Sequence, residues 1–152
     1  MNVILARELK TFAWQEKGNE ESLFIQGELI DDRHHILAVL KFDYKKEKVL
    51  EIIKTEWIKS PYPYCSDIKA IINEIVGMEV KPGATSLINK KLGGSEGCIH
   101  LAEVIVQIFK CFYQSVHRIE DLKLATEEEK KTRKFQVLRN SCYAYTDQFS
   151  GS

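Results

Sequence analysis

The tetrapeptide Pro61-Tyr62-Pro63-Tyr64 limits the fold more than any other stretch of the chain. Proline brings no amide hydrogen to a sheet ladder. The residue before each proline is pushed toward an extended conformation. No central strand can run through such a segment, so the chain divides at Ser60. On the two sides of that division the apolar residues keep different periods.

Before the connector they alternate. Leu9–Trp14 mixes aromatic and β-favouring residues, and Lys17–Glu21 (KGNEE) reads as a turn. Leu23–Ile30 puts Leu23, Ile25 and Leu29 on one face and Gln26 and Glu28 on the other. Gly27 falls among the inward positions, where a bulge is expected. Asp31-Asp32-Arg33-His34 is a second turn. Ile36–Tyr44 alternates again, Asp43–Lys48 is a charged hairpin loop, and Val49–Trp57 is a fourth strand. Spacings this short predict an antiparallel meander.

After the connector the period becomes helical. Ile68, Ile71, Ile72, Ile75 and Val76 predict a helix with Ser66 as N-cap, Asp67 in its first turn and Gly77 as its stop. Pro82 opens a second helix over Gly83–Lys91, which Gly93-Gly94 ends. A long third helix starts near Ser95–Cys98, turns Leu101, Val104, Ile105, Ile108, Phe109 and Phe112 inward, and runs to about Arg118. Thr126-Glu127-Glu128-Glu129 is a capping-box signal for a fourth. Strands first and helices afterwards define an α+β class. The expected architecture is an antiparallel meander of three to four strands, then three to four helices packed on one face. One domain is expected over residues 1–145, with 146–152 as a flexible tail.

Charge narrows the function. Lys and Arg total 22, and so do Asp and Glu, which argues against a nucleic-acid binder working by bulk electrostatics. No apolar run reaches the roughly 18–20 residues that cross a bilayer. The opening MNVILARELK is charged too soon for a signal peptide, so a cytoplasmic protein is expected. In that compartment four cysteines predict ligands, reactive thiols or core residues rather than disulfides.

Leu92–Leu101 (LGGSEGCIHL) concentrates the chemistry. Its glycines let the backbone approach another group closely. Cys98 and Cys65 each sit where a helix is expected to begin. Unpaired N–H groups and the helix dipole favour a negative charge there, and a thiolate is one. Cys65, Cys98, His100 and Cys142 together would make a Cys3His set suited to zinc or an iron–sulfur cluster. Asp67 is a further oxygen donor, and Gly94 and Gly97 would let a cofactor approach. Alternatively Cys98 is a nucleophile, with His100 or another histidine as its base. Cys111 reads as core, His34 and His35 as turn and strand-edge surface, and His117 as a favourable helix-end charge.

PYPYC, a helix ending in VG, KPG, LGGSEGCIHLAEV and NSCYAY together resemble a bacterial family of unknown function, the DUF2889 type. The resemblance implies that Cys65, Cys98, His100 and Cys142 belong to a family pattern. A second likeness is to the iron–sulfur scaffold and sulfur-acceptor fold of NifU and SufE. There a strand meander leads to one cysteine, matched by Cys65, and a later cysteine opens a long helix, matched by Cys98.

Three functions are therefore expected in turn. The first is a metal-binding accessory domain holding zinc or an iron–sulfur cluster. The second is a thiol enzyme or sulfur carrier using Cys98. The third is a non-catalytic domain for a protein partner, a homodimer or a small ligand.

Overall fold

The computed structural model describes residues 1–146; the tail expected from 146 onward lies otherwise outside the described residues. Four strands form one antiparallel sheet in the order β1-β2-β3-β4. They are β1 (Arg7–Glu16), β2 (Asn19–Asp31), β3 (His35–Asp43) and β4 (Lys48–Lys59). A 3-10 helix (Pro63–Ile75) follows, then α1 (Ala84–Leu92), α2 (Ile99–Asp121) and α3 (Glu127–Leu138), and a short 3-10 turn at Tyr143–Tyr145. This is the α+β meander the two periodicities predict. The chain forms two compact units, Met1–Gln114 and Ser115–Ser152, and α2 runs from the first into the second.

The first unit holds the core. Leu23, Ile25 and Leu29 of β2 and Ile36, Ala38, Leu40 and Phe42 of β3 are buried on one face of the sheet. Leu101, Val104, Ile105, Ile108 and Phe112 of α2 are buried too, at the helical spacing that puts them on one stripe. Ile88 and Leu92 of α1 and Ile72 and Ile75 of the 3-10 helix complete the apolar layer. Phe42 meets Phe109 and Phe112 with ring centroids 5.8 and 5.0 Å apart.

Gly27 is not a bulge. It pairs in unbroken register with Thr11 on one side and Ala38 on the other. Its reason is α2: a Cβ there would lie 2.7 Å from Ile108 Cγ1 and 3.0 Å from Val104 Cγ1. The glycine lets the helix seat on the sheet. Gly27→Ala is expected to cost about 1–3 kcal/mol by overpacking, and less in an Ile108→Ala background, where both clashing atoms of Ile108 are gone. Urea unfolding of both single variants and of the double variant checks this.

The segment after the connector also departs from expectation. It is a 3-10 helix, not an α-helix, and it begins at Pro63 with Tyr62 as N-cap, not at Ser66. Proline at a helix start gives up no bond, because the first amides have no partner there. Tyr62 and Tyr64 stack on each other at 5.3 Å and remain exposed.

In the second unit α3 has the full capping box. The Glu129 amide donates to Thr126 Oγ1, and the Thr126 amide donates to Glu129 Oε2. Arg133 reaches the buried Asp121 carboxylate at 2.9 Å, and Phe135 meets Tyr145 edge-on.

Candidate functional site

The glycine stretch is first of all a chain reversal. Gly93 caps α1, Gly94 takes a left-handed φ of 77°, and the Cys98 amide donates back to the Leu92 carbonyl at 2.7 Å. Gly97 lies so close to that carbonyl that a Cβ would come within 2.1 Å of its oxygen. The turn thus ties the start of α2 to the end of α1. Cys98 becomes the N-cap of α2: its carbonyl accepts from Ala102, and its Sγ lies 3.4 Å from the Leu101 amide, which donates to it.

Two residues on, His100 faces another way, as helical geometry requires. Its ring lies against His34, with centroids 3.9 Å apart and planes inclined by 31°. His34 belongs to the β2–β3 turn, which Asp31 organises. Asp31 Oδ1 accepts from the backbone amides of Arg33 and His34 at 2.9 and 2.7 Å, the local bonding that makes aspartate a turn former. The same oxygen lies 3.0 Å from His34 Nδ1. A carboxylate only accepts, so Nδ1 carries a proton, and whenever the ring is neutral its Nε2 keeps the lone pair.

Asp31 Oδ2 accepts from Nε and Nη2 of Arg7 at 3.0 and 2.8 Å. Arg7 sits opposite Asp31 in the β1–β2 ladder, so sheet register supplies this pair. Its remaining arm, Nη1, donates to Glu103 of α2 at 3.0 Å. Glu103 is three residues past His100 and shares its side of the helix. Five groups from β1, the β2–β3 turn and α2 therefore converge: Arg7, Asp31, His34, His100 and Glu103.

The electrostatics follow from this arrangement. Burial alone would raise the Asp31 carboxyl, whose side chain is only 1% exposed. Hydrogen bonds from Arg33, Arg7 and His34 outweigh burial and hold it far below the usual carboxylate range. Burial lowers the His100 imidazole, and the neighbouring His34 and Arg7 lower it further against the pull of Glu103 and Asp31. His100 is thus biased toward its neutral form.

A cleft of about 450 Å³ borders the cluster at Glu103. Leu9, Ile99 and Val106 give it apolar walls, Asn89 and Gln107 polar ones, and Gly93 and Gly94 bare backbone. Asp67 lies elsewhere, in a second cleft of about 570 Å³ between β4 and the 3-10 helix, beside Thr55 and Asn73. Cys65 sits in the first turn of the 3-10 helix, where its amide donates to the Tyr62 carbonyl. Cys142, in the second unit, is exposed and precedes the turn at Tyr143. Cys111 is half-buried, and none of the four cysteines is in a disulfide. Among the described residues no three His, Cys, Asp or Glu side chains are gathered to hold a metal ion.

Sequence reasoning brought His100 into the site but placed His34 on the surface and passed over Arg7, Asp31 and Glu103. The DDRH turn and the i, i+3 spacing of His100 and Glu103 were the available signals. Neither says that the turn and the helix meet.

The fold is α+β, and a carboxylate–imidazole cluster lies at the first turn of its long helix. The chain belongs to the family described as protein of unknown function (DUF2889), which matches residues 8–114. That match takes in PYPYC, KPG and LGGSEGCIHLAEV but stops before NSCYAY, so Cys142 falls outside it. No curated protein matches the chain, and no solved structure does. The likeness to NifU and SufE is accordingly without support. No helix among the described residues is long and apolar enough to cross a membrane.

Proposed function

We propose that this domain binds a small molecule in the cleft beside α2 and performs acid–base chemistry on it through His34 and His100. One observation carries the reading: an imidazole oriented by a buried carboxylate lies against a second imidazole biased toward neutrality, with ring centroids 3.9 Å apart. Orienting one ring nitrogen fixes the tautomer and leaves the other as a proton acceptor, which is what a general base needs. Neither imidazole lines the cleft; Asp31, Arg7 and Glu103 form a chain of ion pairs from His34 to its rim, so a ligand must extend past Glu103 to reach the rings. The cleft suits a ligand with an apolar body and hydrogen-bonding ends.

Zinc is the second reading, favoured by the same oriented His34. A histidine that ligates a metal characteristically donates its other N–H to a carboxylate. His34 and His100 offer two donors, however, where a zinc site takes three or four protein ligands. An iron–sulfur cluster on Cys65, Cys98 and Cys142 has no comparable support. A thiol reaction at Cys98 draws on its Sγ at the open end of α2.

Protein-observed NMR with a set of small organic acids and amines separates these readings. Acid–base function predicts that binding fragments move the methyls of Leu9, Ile99 and Val106 together with the His100 ring. Fragments that move the methyls alone, or none at all, would sink it. Zinc sulfate that shifts only the two imidazoles would favour the second reading. Iodoacetamide labelling confined to Cys98 would favour the third.

A further inference from the structure

We propose that β1 is a self-association edge, on which a second copy of this chain lays its own β1 antiparallel to extend the sheet to eight strands.

The two edges of the sheet are built differently. At β4 the outward groups are used or disturbed. The Val49 amide donates to Met78 and its carbonyl accepts from Gly77, while Lys48 bridges Glu79. The register against β3 shifts three times along β4. These are the devices by which proteins blunt an edge. β1 carries only one, a register shift against β2 between Trp14 and Glu16 at its C-terminal end. It has ten residues, with neither proline nor glycine, and keeps unbroken register with β2 from Arg7 to Trp14. Among the described residues its outer backbone groups have no partner beyond the sheet. Phe12 is 65% exposed and Leu9 42%. An open edge that keeps its register from Arg7 to Trp14 and exposes Leu9 and Phe12 is a template for another strand.

Charge selects the second copy as that strand. A two-fold axis normal to the sheet keeps each residue on its own face, and directly opposed residues share a face. The axis must then pass through one residue of β1. Centred on Lys10, it opposes Lys10 to itself. Centred on Phe12, it opposes Glu8 to Glu16. Centred on Thr11, it forms no ion pair, and a centre at Leu9 or nearer either end overlaps five residues or fewer. Centred on Ala13, it opposes Phe12 to Trp14 twice within the regular stretch and, because β1 continues past the shift to Glu16, Lys10 to Glu16 twice. Aromatic and opposite-charge pairs are the cross-strand combinations that stabilise a sheet. Phe12 and Trp14 already stack within one chain at 5.5 Å, and Trp14 on Phe24 at 5.6 Å, so the pairing would join two aromatic rows.

Sedimentation velocity on the full chain tests this with Lys10→Glu and Glu16→Lys. The wild type is expected to be a dimer at about 100 μM, and each variant alone to dissociate about tenfold more readily, because like charges then face each other twice. An equimolar mixture of the two variants should dimerise again, since every pair across that interface is opposite once more. Both positions are on the surface, and unchanged thermal melts would show that the variants fold. A monomeric wild type, a dimer indifferent to both variants, or a mixture that stays monomeric would each overturn the proposal. The acid–base reading stands or falls separately.

Discussion

Asp31→Asn is expected to destabilise the protein by about 3 kcal/mol at pH 7, because it removes the acceptor of a charged network and leaves Arg7 without its closest counter-charge. The side chain of Asp31 is closed to water and accepts from two backbone amides, the Arg7 guanidinium and the His34 ring. Asparagine keeps the shape but not the charge, and it offers one acceptor oxygen in place of two. The pH dependence gives a sharper test. The folded carboxyl is held below its unfolded value of about 3.9, so its contribution is complete above that pH and is lost as pH falls toward the folded value. The gap in stability between wild type and Asp31→Asn should therefore be widest near neutrality and close below about pH 4. Urea unfolding at several pH values reads this directly. A gap that stays constant down to pH 2 would mean that the network does not hold the charge.

Gly97→Ala is expected to have the second large effect, on the order of 3 kcal/mol or more. The added methyl would meet the Leu92 carbonyl oxygen at 2.1 Å, its carbon at 2.7 Å and the Gly93 oxygen at 2.8 Å. All three are backbone atoms, so no side chain can swing aside. The Leu92 carbonyl is also the acceptor of the Cys98 amide, and moving it loosens the start of α2. Gly94→Ala is the comparison. Gly94 has open space around it and only a left-handed φ, so it should lose about 1 kcal/mol. Thermal melts of the two variants would count against this account of the turn if they fell equally.

These two residues show what could be read without coordinates. The glycine run announces itself by composition, and its role as the end of one helix and the start of the next follows from the chemistry of glycine. Asp31 is visible as a turn former. Its value to the site is not, because that depends on Arg7 across the ladder and His34 beside it. Gly27 was legible as an unusual residue in a strand, yet its cause is a helix some eighty positions later in the chain. The 3-10 helix was misread because Ser66 is a good cap by residue type, while Pro63 had already fixed the backbone at the helix start.

What the sequence determined by itself are the properties that repeat over short distances. A period of two before Ser60 and of about three and a half after it specify strands and helices, and proline and the capping box mark where elements begin. What only the tertiary structure decided is which local features meet. His34 and His100 are separated by most of the first unit in sequence but lie ring against ring, because α2 packs across the sheet at Gly27 and brings its first turn to the β2–β3 turn. Burial patterns name the face that turns inward. They do not say which residue of a distant element will lie opposite, since that is set by the packing of the whole core.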